Sequence, residues 1–163
     1  MKRTRKGFTL VELLIVIGII GILSAMGIIA GSEATDAAKA STIIDGFQKI
    51  SAAMMTYYSD NYAAADAGTT TAADILEGVQ AYIKTEDASL VAADDTAAAR
   101  TYNISIVGEA NPKTWWLTYT LDGADTKIGA ILETKATKYG LKKATSSTTN
   151  DYDGKATVCM KVR

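Results

Sequence analysis

A chain of 163 residues, 48% hydrophobic and 21% charged with a net charge of −1, has room for one domain plus a further segment. It lacks the basic surplus that marks a nucleic-acid-binding surface. With no histidine, no histidine-based catalytic triad can be built, and the single cysteine, Cys159, permits no disulfide within the chain.

The first six residues carry four positive charges, Lys2, Arg3, Arg5 and Lys6. One carboxylate, Glu12, follows, and then nineteen uncharged and mostly aliphatic residues run from Leu13 to Gly31. As a helix that run covers about 28 Å, close to the hydrocarbon thickness of a bilayer. The basic cluster predicts a cytoplasmic start, with the remainder of the chain outside. A secretory signal peptide has a shorter apolar region that ends at a small-residue cleavage site. Here Ser24-Ala25-Met26 lies inside the run. A plain signal anchor fits the length but has no use for Glu12, because a carboxylate at the bilayer centre costs about 2.5–3.5 kcal/mol on insertion scales. Such a group needs a positive partner.

The segment Gly7-Phe8-Thr9-Leu10-Val11-Glu12-Leu13, between a basic leader and an aliphatic helix, resembles the type IV pilin and pseudopilin family over about the first 30 residues. The resemblance implies that residues 1–7 are a leader removed by prepilin peptidase, which cuts after Gly7 and methylates the new amino terminus at Phe8. It implies a hydrophobic transmembrane and assembly helix over 8–31 and a pilin head over 32–163, which includes the amphipathic half of the same helix. Glu12 would then pair with the Phe8 amine. Within one helix the two residues are four apart, close enough to pair; between helices the same charges set axial register, which the family favours. Cleavage would leave 13 basic against 18 acidic residues, a balance of −5. In place of the family's usual proline near the end of the run stands Ile29, with glycines at 18, 21, 27 and 31. Each glycine weakens a helix by about 1 kcal/mol, so the segment is expected to loosen near Gly21–Gly27 on entering a filament.

Beyond Gly31 the pattern turns amphipathic. Ile43, Phe47, Ile50, Met54 and Tyr57 fall on one helical face, which extends a single long helix from about Leu10 to about Ser59. Residues 60–71 read as a connection. Thr71 caps a short helix from Ala72 to about Lys84, with Ile75, Leu76, Val79, Tyr82 and Ile83 on its core side. Thr85 to Ala99 is an acidic, alanine-rich helix or loop. Strands are expected at Thr101–Val107 and at Thr114–Leu121, the latter with Trp115, Leu117, Tyr119 and Leu121 facing one way. After a turn at Asp122–Asp125, Lys127 to about Leu132 reads as a strand leading into a helix or loop, although Ile128, Ile131, Leu132 and Tyr139 also fit a helix. A polar tract spans Ala144–Asn150. Ala156–Val162 is the last strand, with Ala156, Val158, Met160 and Val162 on one face and Cys159 a buried thiol.

The fold class is therefore α+β, a long amino-terminal helix packed on a carboxy-terminal antiparallel sheet. No catalytic residues, cofactor or metal site are assigned. The pairs Asp122/Asp125 and Asp151/Asp153 could contact calcium, which some pseudopilins bind, but a hard cation wants six to eight oxygens, and the pairs read first as solvated turn residues. Asn103-Ile104-Ser105 matches a glycosylation acceptor but lies in an expected strand. The implied function is structural: a single-pass inner-membrane precursor, in contact with lipid, that inner-membrane pilus machinery extracts into a homo-oligomeric extracellular filament, with no nucleic-acid partner. The alternatives are a pseudopilin of a type II secretion or DNA-uptake system, or an anchored binding module that never polymerises.

Overall fold

The face carrying Ile43, Phe47, Ile50 and Met54 is the one on which the sheet is laid. The computed structural model describes residues 8–83, 91–92, 100–107, 113–123, 125–143, 152–154 and 156–163, without the side chains of 26–31. Helix α1 runs Leu10–Asp60. A short α2 (Tyr62–Asp66) and α3 (Ala72–Tyr82) follow, then β1 (Val91–Ala92), β2 (Tyr102–Val107), β3 (Thr114–Thr120), α4 (Thr126–Tyr139), β4 (Leu141–Lys142) and β5 (Thr157–Lys161). The chain divides into two units, Met1–Ala37 and Ala38–Arg163.

In the second unit Ala40, Ile43, Ile44, Phe47, Ile50, Ala53 and Met54 form the buried stripe of α1. Their spacing of three and four keeps them on one side of a 3.6-residue helix. The sheet they meet has the order β1-β2-β3-β5-β4. Four of its strands are antiparallel, as expected, while the two-residue edge strand β1 runs parallel to β2. Alternation along β3 turns Trp115, Leu117 and Tyr119 towards α1, and Leu121 beyond its end joins the same cluster; β5 contributes Val158, with Met160 and Val162 packed at the margin. Fully burying side chains such as Phe47 and Leu117 contributes about 1.5–3 kcal/mol each.

The crossing of α1 and β2 is fixed by a tyrosine. The Tyr102 hydroxyl donates to the Ile43 carbonyl at 2.8 Å. Its ring meets Phe47 edge-on at 5.3 Å and its cross-strand partner Tyr119 at 4.8 Å. Gly46 leaves the space this ring occupies.

Two expectations are corrected. The Lys127–Leu132 stretch is not a strand but the first half of α4, because Ile128, Gly129, Leu132 and Ala136 bury together at helical spacing. Gly140, at φ 67°, takes the left-handed conformation that ends α4 and turns the chain into β4. The 60–71 connection contains α2, which escapes periodicity because it is only five residues long and buries Ala65 alone. Thr71 caps α3 as expected, and its hydroxyl and N–H both bond Asp74 at 2.7 Å in a reciprocal box. Lys84, most of Thr85–Ala99 and Ala144–Asn150 lie outside the described residues.

The carboxy-terminal residue of the sequence holds three elements together. Arg163 donates to the Ala65 carbonyl at 3.3 Å and to Asp66 at 2.7 Å, and its guanidinium lies 4.1 Å from the Tyr58 ring centre. Its backbone N–H bonds the Trp115 carbonyl at 3.4 Å. A half-shielded fork bonded to a carboxylate and stacked on an aromatic face contributes more than a surface ion pair. Arg163→Ala should therefore destabilise the second unit by about 2–3 kcal/mol. Thermal denaturation should show a midpoint about 5–10 °C lower, and Arg163→Lys should recover only part of it because an ammonium cannot form the fork.

Cys159 is buried, at 1% exposure, and burial pushes its thiol up to about 11. Native protein should thus resist a thiol-directed reagent at pH 8 and react at once in denaturant. The unfolded thiol ionises near 9.0 and the folded one near 11, so the unfolded state binds fewer protons between these values. The stabilisation is complete below pH 9 and is lost as pH rises to 11, amounting to about 2–3 kcal/mol. Urea denaturation at stepped pH should show this decline, and Cys159→Ala should remove it. A later decline should remain from Tyr152, which burial first and then Asp153 and Glu133 raise to about 12.

Candidate functional site

The first unit presents a helix with apolar side chains on every face. From Phe8 to Leu23 the large hydrophobic residues are between 48% exposed at Val16 and 88% at Phe8. A helix apolar all round needs a lipid or protein environment, and an exposed apolar surface of this extent marks an interaction site. Gly18 and Gly21 have open space where a side chain would stand. The α1 backbone is helical through 26–31, but the side chains there are outside the described set. Among the described residues no helix is long and apolar enough to cross a membrane.

At the start of this helix Glu12 is held by Thr9. The Glu12 Oε2 atom accepts from the Thr9 N–H at 2.8 Å and from the Thr9 hydroxyl at 2.8 Å. In return the Glu12 N–H donates to Thr9 Oγ1 at 3.3 Å. Thr9 thus stands where a helix N-cap stands and Glu12 three residues on, the arrangement of a capping box. It arises locally: a β-branched hydroxyl residue precedes the first helical position, and a carboxylate sits where the first-turn N–H groups lack helix partners. The chain repeats the device at Thr71 and Asp74, with an acid one methylene shorter.

Gly7 lies outside the described residues. Phe8 lies just before the first residue of α1 and Glu12 in its first turn; among the described residues the bonds drawn to the Glu12 carboxylate come from Thr9. The sequence reading sought an opposite charge for Glu12 and passed over this neutral donor. The signal was present, since a Thr-x-x-Glu stretch before an apolar run is the sequence mark of a capping box.

Elsewhere three of the acidic loop residues face cations. Asp122 and Asp125 both face Arg100, at 3.6 and 3.3 Å, and Asp153 faces Lys143 at 2.8 Å. Asp151 lies outside the described residues. Asn103 is 6% exposed within β2, which leaves its amide inaccessible to a modifying enzyme. Among the described residues no group of three acidic, cysteine or histidine side chains is placed to hold a metal ion.

A protein-family model, the prokaryotic N-terminal methylation motif, matches residues 2–28. No curated protein and no solved structure matches the chain.

Proposed function

We propose, from the premise that the chain carries the prepilin-type methylation motif of type IV pilins and pseudopilins, that it is the structural subunit of a type IV pilus-like extracellular filament. Proteins with this motif are structural subunits, and the chain is pilin- or pseudopilin-like in that sense. Processing by prepilin peptidase after Gly7 exposes Phe8, whose amine is methylated. Residues 8–31 hold the precursor in the inner membrane and later form the filament core, with 32–163 as the outer head. Inner-membrane pilus machinery supplies the work of extraction, because moving apolar side chains from lipid to protein gains far less than moving them from water.

The observation that carries this reading is the exposed apolar helix beside Glu12, within the matched motif. A helix apolar on all sides suits lipid first and a bundle of identical helices later.

The test is intact mass spectrometry of protein recovered from cells. A chain beginning at Phe8 with one added methyl supports the proposal. A chain that begins at Met1, or one cut inside the apolar run, excludes it. A bulky residue in place of Gly7 should leave the leader attached in more than about nine-tenths of the molecules, read as retention of the higher mass.

A further inference from the structure

We propose that the groove between α1 and β2 in the second unit is a binding site for a small neutral molecule, a ring-sized apolar body that carries one carbonyl. The proposal stands apart from the filament reading, because it concerns the head alone and needs neither cleavage nor assembly.

The groove has a volume of about 260 Å³. A dry cavity of about 150 Å³ already admits benzene, so a substituted ring has room. Ile43 and Ile50 from α1, Ile83 from the end of α3, and the Tyr102 and Tyr119 rings line it with apolar surface. A pocket of this kind takes its specificity from the few polar groups that converge on it. One of them here is unusual. Tyr119 is 8% exposed, yet among the described residues its hydroxyl has no hydrogen-bond partner. The ring only packs, 4.8 Å from Tyr102 and 6.5 Å from Phe47. Tyr102, its cross-strand neighbour, commits its own hydroxyl to the Ile43 carbonyl. A buried phenol normally finds a partner, and the groove is where Tyr119 can meet one.

Arg100 lines the same groove. Its Nε and Nη2 atoms donate to Asp125 at 3.3 and 3.4 Å, and Nη2 lies 3.6 Å from Asp122. Its Nη1 makes no bond among the described residues. Burial first, and then Asp125, raise the Tyr119 hydroxyl above its ordinary range, with Arg100 pulling the other way, so at neutral pH it is a donor. Two donors on the wall of one apolar groove call for an acceptor. An anion is the poorer choice. Among the described charged residues around the groove, Asp45, Asp122 and Asp125 outnumber Lys49 and Arg100, so a carboxylate would meet more repulsion than attraction. A ketone or amide carbonyl accepts the same bonds and carries no charge.

The experiment titrates the full chain in detergent micelles with acetophenone, ethylbenzene and benzoate, and follows the Gly46 and Lys49 amide signals by nuclear magnetic resonance. Dialysis fixes the free concentration of each probe, so uptake by detergent does not enter the affinity. Acetophenone should bind about fivefold more tightly than benzoate, or better. Tyr119→Phe, which keeps the ring, should weaken acetophenone about fivefold, the loss expected of one hydrogen bond, and leave ethylbenzene within about twofold. Its thermal midpoint should stay within about 2 °C of the parent, because the lost hydroxyl has no partner in the fold. Ile83→Trp, which crowds the groove from the end of α3, should weaken acetophenone and ethylbenzene alike. Equal acetophenone affinity in Tyr119→Phe and the parent overturns the proposal. So does benzoate binding as tight as that of acetophenone, or the absence of any saturable shift. A chain that forms filaments but shows no saturable shift loses this site and keeps the filament reading; one that binds acetophenone but begins at Met1 does the reverse.

Discussion

Replacing Gly46 with valine should leave the second unit unable to reach its native packing. A Cβ at this position would stand 2.0 Å from the Tyr102 hydroxyl oxygen and 2.4 Å from the ring carbon that bears it. Such an overlap is cheap only when the opposing side chain can swing away. Tyr102 cannot: it is 5% exposed, bonded to Ile43, and wedged between Phe47 and Tyr119. Moving it strands a buried hydroxyl and opens the joint between α1 and β2, each at a cost of about 1–3 kcal/mol. Valine also brings two methyl groups into the same space. The helix propensity gained over glycine, about 1 kcal/mol at most, does not offset this. Urea denaturation of the full chain in mild detergent, followed by tryptophan near-ultraviolet dichroism, should show at least about 3 kcal/mol lost. The mechanism has its own check in Tyr102→Leu, which also destabilises alone. Because both changes act on one contact, the double variant should cost clearly less than the sum. Strict additivity would show that Gly46 matters for some other reason.

Gly46 also shows where reading the sequence stopped. The stripe Ile43, Phe47, Ile50, Met54 and Tyr57 was legible because fifteen residues of regular periodicity leave little alternative to a helix. A lone glycine inside that stripe carries no sign that a tyrosine 56 positions later needs its space. The inward faces of β3 and β5 were legible for the same reason as the stripe, since alternation fixes which side chains share a side.

Helix α4 was misread because Thr126, Ile128 and Ile131 favour a strand by local preference. Burial of Ile128, Leu132 and Ala136 on one side decides for a helix. The two-residue strands β1 and β4 exist only through their partners, so no local pattern announces them. The Arg163 clamp joins residues 97 and 98 positions apart, and only the folded chain brings them together. At the amino terminus, the need of Glu12 for a partner followed from its solitary charge. The identity of the partner in the uncleaved chain required coordinates, because a neutral hydroxyl and a backbone N–H do not stand out in a charge pattern.

Substitution of Glu12 by valine is expected to leave the chain inserted and cleaved while filament yield falls by more than tenfold. Removing one member of the pair strands the other, and every subunit entering the filament would carry that penalty. A tenfold loss of yield needs only about 1.4 kcal/mol. Valine, however, removes the cap along with the charge. Glutamine separates the two roles, since its side-chain carbonyl can still accept from Thr9 in a capping box but carries no charge to meet an amine. Glu12→Gln should therefore insert and be cleaved at the parental level, with exchange at the Glu12 amide unchanged, yet assemble as poorly as Glu12→Val. Filaments are counted by sedimentation and electron microscopy, and inserted, cleaved subunit by immunoblot of the membrane fraction. Parental filament yield from Glu12→Gln would mean that Glu12 serves the helix start alone and that no ion pair with Phe8 sets the register. Loss of insertion in Glu12→Gln would place the requirement for the charge before cleavage.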